Sequence, residues 1–144
     1  MKSRVINEDK QRTFAVVFDA GEEVIAGLND FVRAHRITAA SFAGIGALSD
    51  AVLGYFDWDK KEYKRIAVRE QVEVVGLMGN VALGEDGKPS LHPHIVVSRS
   101  DASAMGGHLL EAHVRPILEL VVTESPGHLQ RRKDPQTGLA LLRL

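Results

Sequence analysis

Cysteine is absent from this 144-residue chain, so neither disulfides nor thiolate metal sites are available to it. An excess of charge of either sign is also lacking: 18 basic against 19 acidic residues leave a formal net charge of −1. Such a balance supplies no bulk electrostatic drive toward nucleic acid or an anionic membrane, and DNA binding would need a local basic patch. No apolar run approaches the roughly 20 residues that span a bilayer. The opening MKSRVINEDKQRTF is charged and has no apolar stretch of the kind a secretory signal carries. Internal repeats, low-complexity tracts and Pro/Gly/Ser linkers are missing too. Together these absences predict one cytoplasmic domain over residues 1–144, without membrane contact. What is present suits that expectation, because 44% hydrophobic residues can build a core and 26% charged residues can solvate it.

Val5 and Ile6 are the only apolar pair before residue 13 and predict a frayed start or an edge strand. Thr13–Phe18 (TFAVVF) is rich in β-branched and aromatic residues and reads as a strand. Asp19, with Glu22 three positions on, has the pattern of a capping box and predicts a helix over about residues 20–35. Val24, Ile25, Leu28, Phe31 and Val32 fall on one face of it, with Glu23, Asn29, Asp30 and Arg33 opposite. His35, near its end, is expected as a solvated helix-terminal residue.

Beyond the helix the chain reads as short strands. Thr38–Ala43 leads into Gly44-Ile45-Gly46-Ala47, where a strand pattern follows in place of the third glycine of a dinucleotide site. These glycines therefore predict a bulge or a close backbone approach. Ala51–Trp58 and Glu62–Val68 form an expected hairpin about Asp59-Lys60-Lys61. Gln71–Met78 and Asn80–Leu83 precede a turn at residues 84–89. Then come His92–Arg99, a small-residue loop at Asp101–Gly107, His108–Val114, and Ile117–Thr123 as a central strand. A terminal hairpin is expected from Leu129–Arg132 and Leu139–Leu144. One helix and many strands predict an α+β fold with a mainly antiparallel sheet, whose edges need closure or oligomerisation.

The candidate chemistry lies in Ser90–Glu111. In a strand His92 and His94 point to one face about 6.5–7 Å apart, close enough for two imidazoles to share an ion, while Pro93 points away. His108 returns after thirteen intervening residues, and Gly106 and Gly107 permit tight backbone approach. Three imidazoles leave a coordination position open and the ion's charge uncancelled, which favours an anionic ligand. Spacing alone also fits three surface histidines. His113 is five positions from His108, so strand parity puts it on the opposite face. His128, beside Ser125-Pro126-Gly127, is expected to be structural or exposed. Asp57, Glu70, Glu73, Glu111 and Glu119 are the carboxylates available as general bases. Arg115 is available for a ligand's anionic group or for a surface ion pair.

Several stretches resemble one family, the plant-and-prokaryote-conserved (PPC or PCC) domain, a domain of unknown function. They are Gly44-Ile45-Gly46-Ala47, Leu53-Gly54-Tyr55-Phe56-Asp57, Leu91-His92-Pro93-His94, Gly106-Gly107-His108-Leu109 and Val114-Arg115-Pro116, in order over about residues 12–143. The resemblance implies an α+β fold with a seven-stranded, barrel-like antiparallel sheet, one flanking helix and a homotrimer. Prokaryotic members with both histidine elements look like metal proteins, and their fold is similar to acetolactate decarboxylase, whose zinc is held by three histidines. Carried over, this puts His92, His94 and His108 on a divalent metal, zinc being favoured. A small anionic ligand would bind there, with Arg115 and Glu111 as candidate ligand contacts, in a receptor or a metal-dependent enzyme. The alternative is a DNA-associated regulator. Plant members carry AT-hooks, which this chain lacks; its nearest basic run is Arg131-Arg132-Lys133, expected in a solvated hairpin.

Overall fold

Alternation begins at β2 (Thr13–Asp19), where Phe14, Val16 and Phe18 are fully buried between outward neighbours. Outside it lies β1 (Lys2–Asn7), an antiparallel edge strand. The computed structural model describes residues 1–7, 11–125, 127 and 129–143; His128 lies outside the described residues.

Helix α1 (Val24–Ala34) begins later than the capping-box pattern predicts. Glu23, not Asp19, is the N-cap, its carboxylate accepting from the Ala26 N–H. Glu22 instead accepts from the Asp19 N–H at 2.7 Å, closing a turn whose Gly21 has φ +86°. That turn is stitched to the sheet by Gly21 N–H donating to Val114 O at 2.8 Å and Val114 N–H donating to Glu22 O at 3.0 Å. Val24, Leu28, Phe31 and Val32 are buried, as the spacing predicts, each worth roughly 1.5–3 kcal/mol on burial. His35 is not simply solvated: its ring packs 4.8 Å from Phe14 and 4.6 Å from Phe31.

The remaining strands are β3 (Ala40–Asp57), β4 (Glu62–Val68), β5 (Val72–Leu83), β6 (Pro89–Ser98), β7 (Ala104–Glu124), β8 (Gln130–Lys133) and β9 (Ala140–Arg143). The predicted β3–β4 and β8–β9 hairpins are both present. Two segments expected separately, around Arg115-Pro116, form the single 21-residue strand β7, which runs through a cis Arg115–Pro116 bond. It is central, lying between β2 and β3.

Among the described residues the sheet has nine strands, not seven. β3, β5, β6 and β7 pair in a ring (β3 with β5 and β7, β6 with β5 and β7), while the others extend from it. Partial closure with appended strands is not a clean barrel. Among the described residues the strand pairings are antiparallel except the Leu83–Gln130 bridge joining β5 to β8. One contiguous core, including Phe14, Phe31, Leu48, Leu77 and Leu118, lies beneath α1 and within this sheet.

Candidate metal centre

The β6–β7 ladder brings the histidines together. His94 is directly opposite His108 in the antiparallel register, and His92 lies two residues along β6. Pro93, Ile95 and Val97 are buried on the other face, so alternation sends His92 and His94 to the same side. Two glycines let the ladder close at this point. A Cβ on Gly106 would lie 2.7 Å from Ile95 O, and one on Gly107 would lie 2.8 Å from Gly54 O.

The resulting group offers one ring nitrogen from each of His92, His94 and His108, all within 4.8 Å of one another. Nε2 of His92 and Nε2 of His94 are 3.2 Å apart. Tyr63 of β4 stacks on His108, ring centroids 5.0 Å apart and planes at 30°. Burial pushes the His108 pKa down to about 4, aided by the neighbouring His92, His94 and Arg131. Burial also lowers the pKa of His92, with Arg131 and His94 contributing. Both rings are therefore neutral at pH 7, the protonation state a metal ligand needs. Nδ1 of His108 is buried without a hydrogen-bond partner. An orphaned ring nitrogen within an all-imidazole group fits a borderline-soft divalent ion.

His113 is engaged elsewhere, for a reason that strand parity does not capture. A bulge in β7 between Leu109 and Glu111 shifts the register, so the burial alternation restarts and His113 faces outward as His108 does. Five residues further along the strand, roughly 16 Å away, its Nδ1 is 2.8 Å from Asp50 Oδ1. Glu111 faces Arg65 at 3.6 Å, and Arg115 is exposed before Pro116. Neither lines the cavities adjoining the histidines. The other candidate bases are also placed apart from the histidine group. Asp57 accepts from the Asp59 and Lys60 N–H groups, and Glu70 pairs with Arg99 at 3.0 Å. Glu73 and Glu119 are exposed.

Arg131 is the unexpected member. Predicted as part of a solvated basic run, it is only 4% exposed and lines a cavity with His92 and His108. Its Nη2 donates to Asn80 Oδ1 and its Nη1 to Ala140 O at 3.3 Å. No signal in the sequence singles it out: alternation puts Arg131 and Lys133 on one face of β8, and only the folded arrangement buries the first and exposes the second.

Comparison with known proteins agrees with this architecture. The Plants and Prokaryotes Conserved (PCC) domain matches residues 6–126. A candidate DNA-binding protein from Bacteroides thetaiotaomicron is 30% identical, with TM-score 0.87 over 98% of this chain and 96% of that one. A metal-containing protein from Archaeoglobus fulgidus is 34% identical, with TM-score 0.84 over 92% and 93%. A plant- and prokaryote-conserved protein from Pyrococcus horikoshii is 30% identical, with TM-score 0.85 over 99% and 95%. Acetolactate decarboxylase from Bacillus subtilis shares the fold alone, at 8% identity and TM-score 0.59 over 85% of this chain and 57% of that one. No curated protein matches the sequence. The chain belongs to the Plants and Prokaryotes Conserved (PCC) domain family.

Proposed function

We propose that His92, His94 and His108 hold a divalent metal ion, zinc being best suited to an all-imidazole set, and that the site receives a small anionic ligand. Convergence carries the proposal: three imidazoles on paired strands present ring nitrogens within 4.8 Å of one another. The description of the A. fulgidus relative as metal-containing supports it. An ion held by three neutral ligands keeps its full charge and supplies Lewis acidity toward an oxygen donor. The chain's own part is to keep the rings neutral by burial, to fix the His108 plane against Tyr63, and to screen the site with the terminal hairpin. We read residues 1–144 as one cytoplasmic unit that assembles as a homotrimer. Outward apolar side chains on one face of the sheet, Ile45, Val75, Met78 and Val121, support self-association.

Metal analysis of chelator-free protein tests the proposal. About one ion per chain is expected, and its loss in the His92→Ala/His94→Ala variant. Equal, negligible metal in both proteins overturns it.

A DNA-associated role is a second reading, favoured by the descriptions of the B. thetaiotaomicron and Ralstonia eutropha relatives as candidate DNA-binding proteins. With Arg131 buried, such binding rests on Arg132, Lys133 and other exposed cations. It requires affinity that falls steeply with salt. A gel shift without retardation at low salt removes it.

A further inference from the structure

The 170 Å³ cavity beside the histidines carries one cationic side chain in its wall, and no carboxylate of the described residues lines it. His92 and His108 line one part, Arg131 another, and Leu91, Leu139 and Tyr63 close it. A guanidinium has five N–H donors. Two of Arg131's are committed, to Ala140 O and to Asn80 Oδ1, while its buried Nε has no partner. Among the described residues no carboxylate pairs with Arg131. A buried charge without a counter-charge is unfavourable and persists where something else neutralises it. A divalent ion on the histidines would add a second positive centre to the same cavity wall. An anion between the two compensates both.

We infer that this cavity is the seat of a small carboxylate, gripped by Arg131 at one end and directed toward His92, His94 and His108 at the other. The inference rests on the metal reading above and names the ligand class. Carboxylate is favoured over phosphate on two grounds. A single planar guanidinium matches two carboxylate oxygens, whereas a phosphate dianion calls for more cations or a helix N-terminus, and no helix residue lines this cavity. The size is right as well: 170 Å³ is roughly five or six water volumes, room for a short acid whose carbon chain meets Leu91 and Leu139. The terminal hairpin β8–β9 thereby becomes part of the site, although it lies beyond the residues that define the family match. It is tied down by Leu83 N–H donating to Leu129 O at 2.8 Å and Lys133 N–H donating to Glu85 at 3.1 Å.

The test titrates zinc-loaded protein with sodium glycolate, sodium acetate and inorganic phosphate by calorimetry, with metal content measured on every sample. The comparison set is the full-length wild type, Arg131→Gln and Arg131→Lys. Glycolate is expected to bind the wild type, and phosphate more weakly. Arg131→Gln is expected to keep its zinc but to lose roughly tenfold or more in glycolate affinity, with Arg131→Lys between them. Wild-type affinity in folded, zinc-bearing Arg131→Gln overturns the inference, as does phosphate binding more tightly than glycolate, or no carboxylate binding to zinc-loaded wild type. If Arg131→Gln fails to fold, Arg131→Lys decides by the same criterion. Acetate-dependent shifts of the Arg131 Nε–H resonance in metal-free protein give the anion an independent readout. Absence of zinc from the wild type then sinks the metal reading, whereas absence of the shift sinks this one.

Discussion

At the scale of single residues, the five described histidines have different surroundings and so different chemistry. His108 is depressed to about 4, first by burial and then by its cationic neighbours. His113, half-exposed, is held above its ordinary 6.5, chiefly by its hydrogen bond to Asp50. The same bond, with help from Ser49, holds Asp50 below the usual carboxylate range. The raised His113 pKa makes its contribution to stability complete below 6.5 and lost as pH rises through the folded value. The lowered Asp50 pKa makes its contribution present above 3.8 and lost as pH falls through the folded value. The pair is therefore stabilising in mildly acidic solution. Because both side chains are more than a third exposed, its worth is about 0.2–1 kcal/mol. His113→Asn is expected to lower the melting temperature slightly at mildly acidic pH and not at alkaline pH. Titration of the His113 ring by NMR should give a midpoint above 6.5. A midpoint below that value would contradict the pairing.

At the scale of elements, the strand positions were largely legible and their irregularities only in part. The Gly44-Ile45-Gly46 stretch was expected to bring backbones close, and it does. A Cβ at Gly44 would lie 2.5 Å from Glu119 O, and one at Gly46 would lie 2.3 Å from Ile117 O. Gly44→Ala and Gly46→Ala are each expected to cost about 1–3 kcal/mol through overpacking, read as lower denaturant midpoints. A neutral outcome would mean that β3 and β7 can part freely here. Gly107 sits at the corresponding approach to β3 beside His108. Gly107→Ala should weaken metal retention by more than its loss of stability explains, measured by competition with a chelator. The β7 bulge was not legible, because the pairing partner on β3 determines which residue of Leu109-Leu110-Glu111 is left over. The start of α1 was misplaced for a similar reason. Glu23 caps the helix while its other carboxylate oxygen accepts from Ala112 N–H at 3.1 Å, a contact 89 residues away in sequence.

At the scale of the whole molecule, the sheet closes only through β3, β5, β6 and β7, and one outer face remains apolar. Ile45 is 61% exposed, Val75 59% and Met78 56%. An apolar face of this kind is the surface that the proposed self-association would cover. Met78→Glu combined with Val121→Glu is expected to convert the proposed trimer to monomer by light scattering, with the β-sheet circular dichroism retained. An unchanged mass would remove this face as the interface. Among the described residues no helix is long and apolar enough to cross a membrane.

The sequence by itself determined the α+β class, the apolar face of α1, the hairpins, the outward pairing of His92 with His94 and the family. All of these follow from local periodicity, turn chemistry or short motifs, where the interacting residues are close along the chain. Tertiary structure decided the rest. It determined which nitrogens converge, since the His94–His108 register belongs to the β6–β7 pairing. It placed Arg131 in the cavity wall, because the hairpin folds back across β5. It also assigned His113 to Asp50, through a bulge that only the β3–β7 ladder creates. Each depends on contacts between residues far apart in sequence, and a reading of local pattern carries no information about which distant segments will meet.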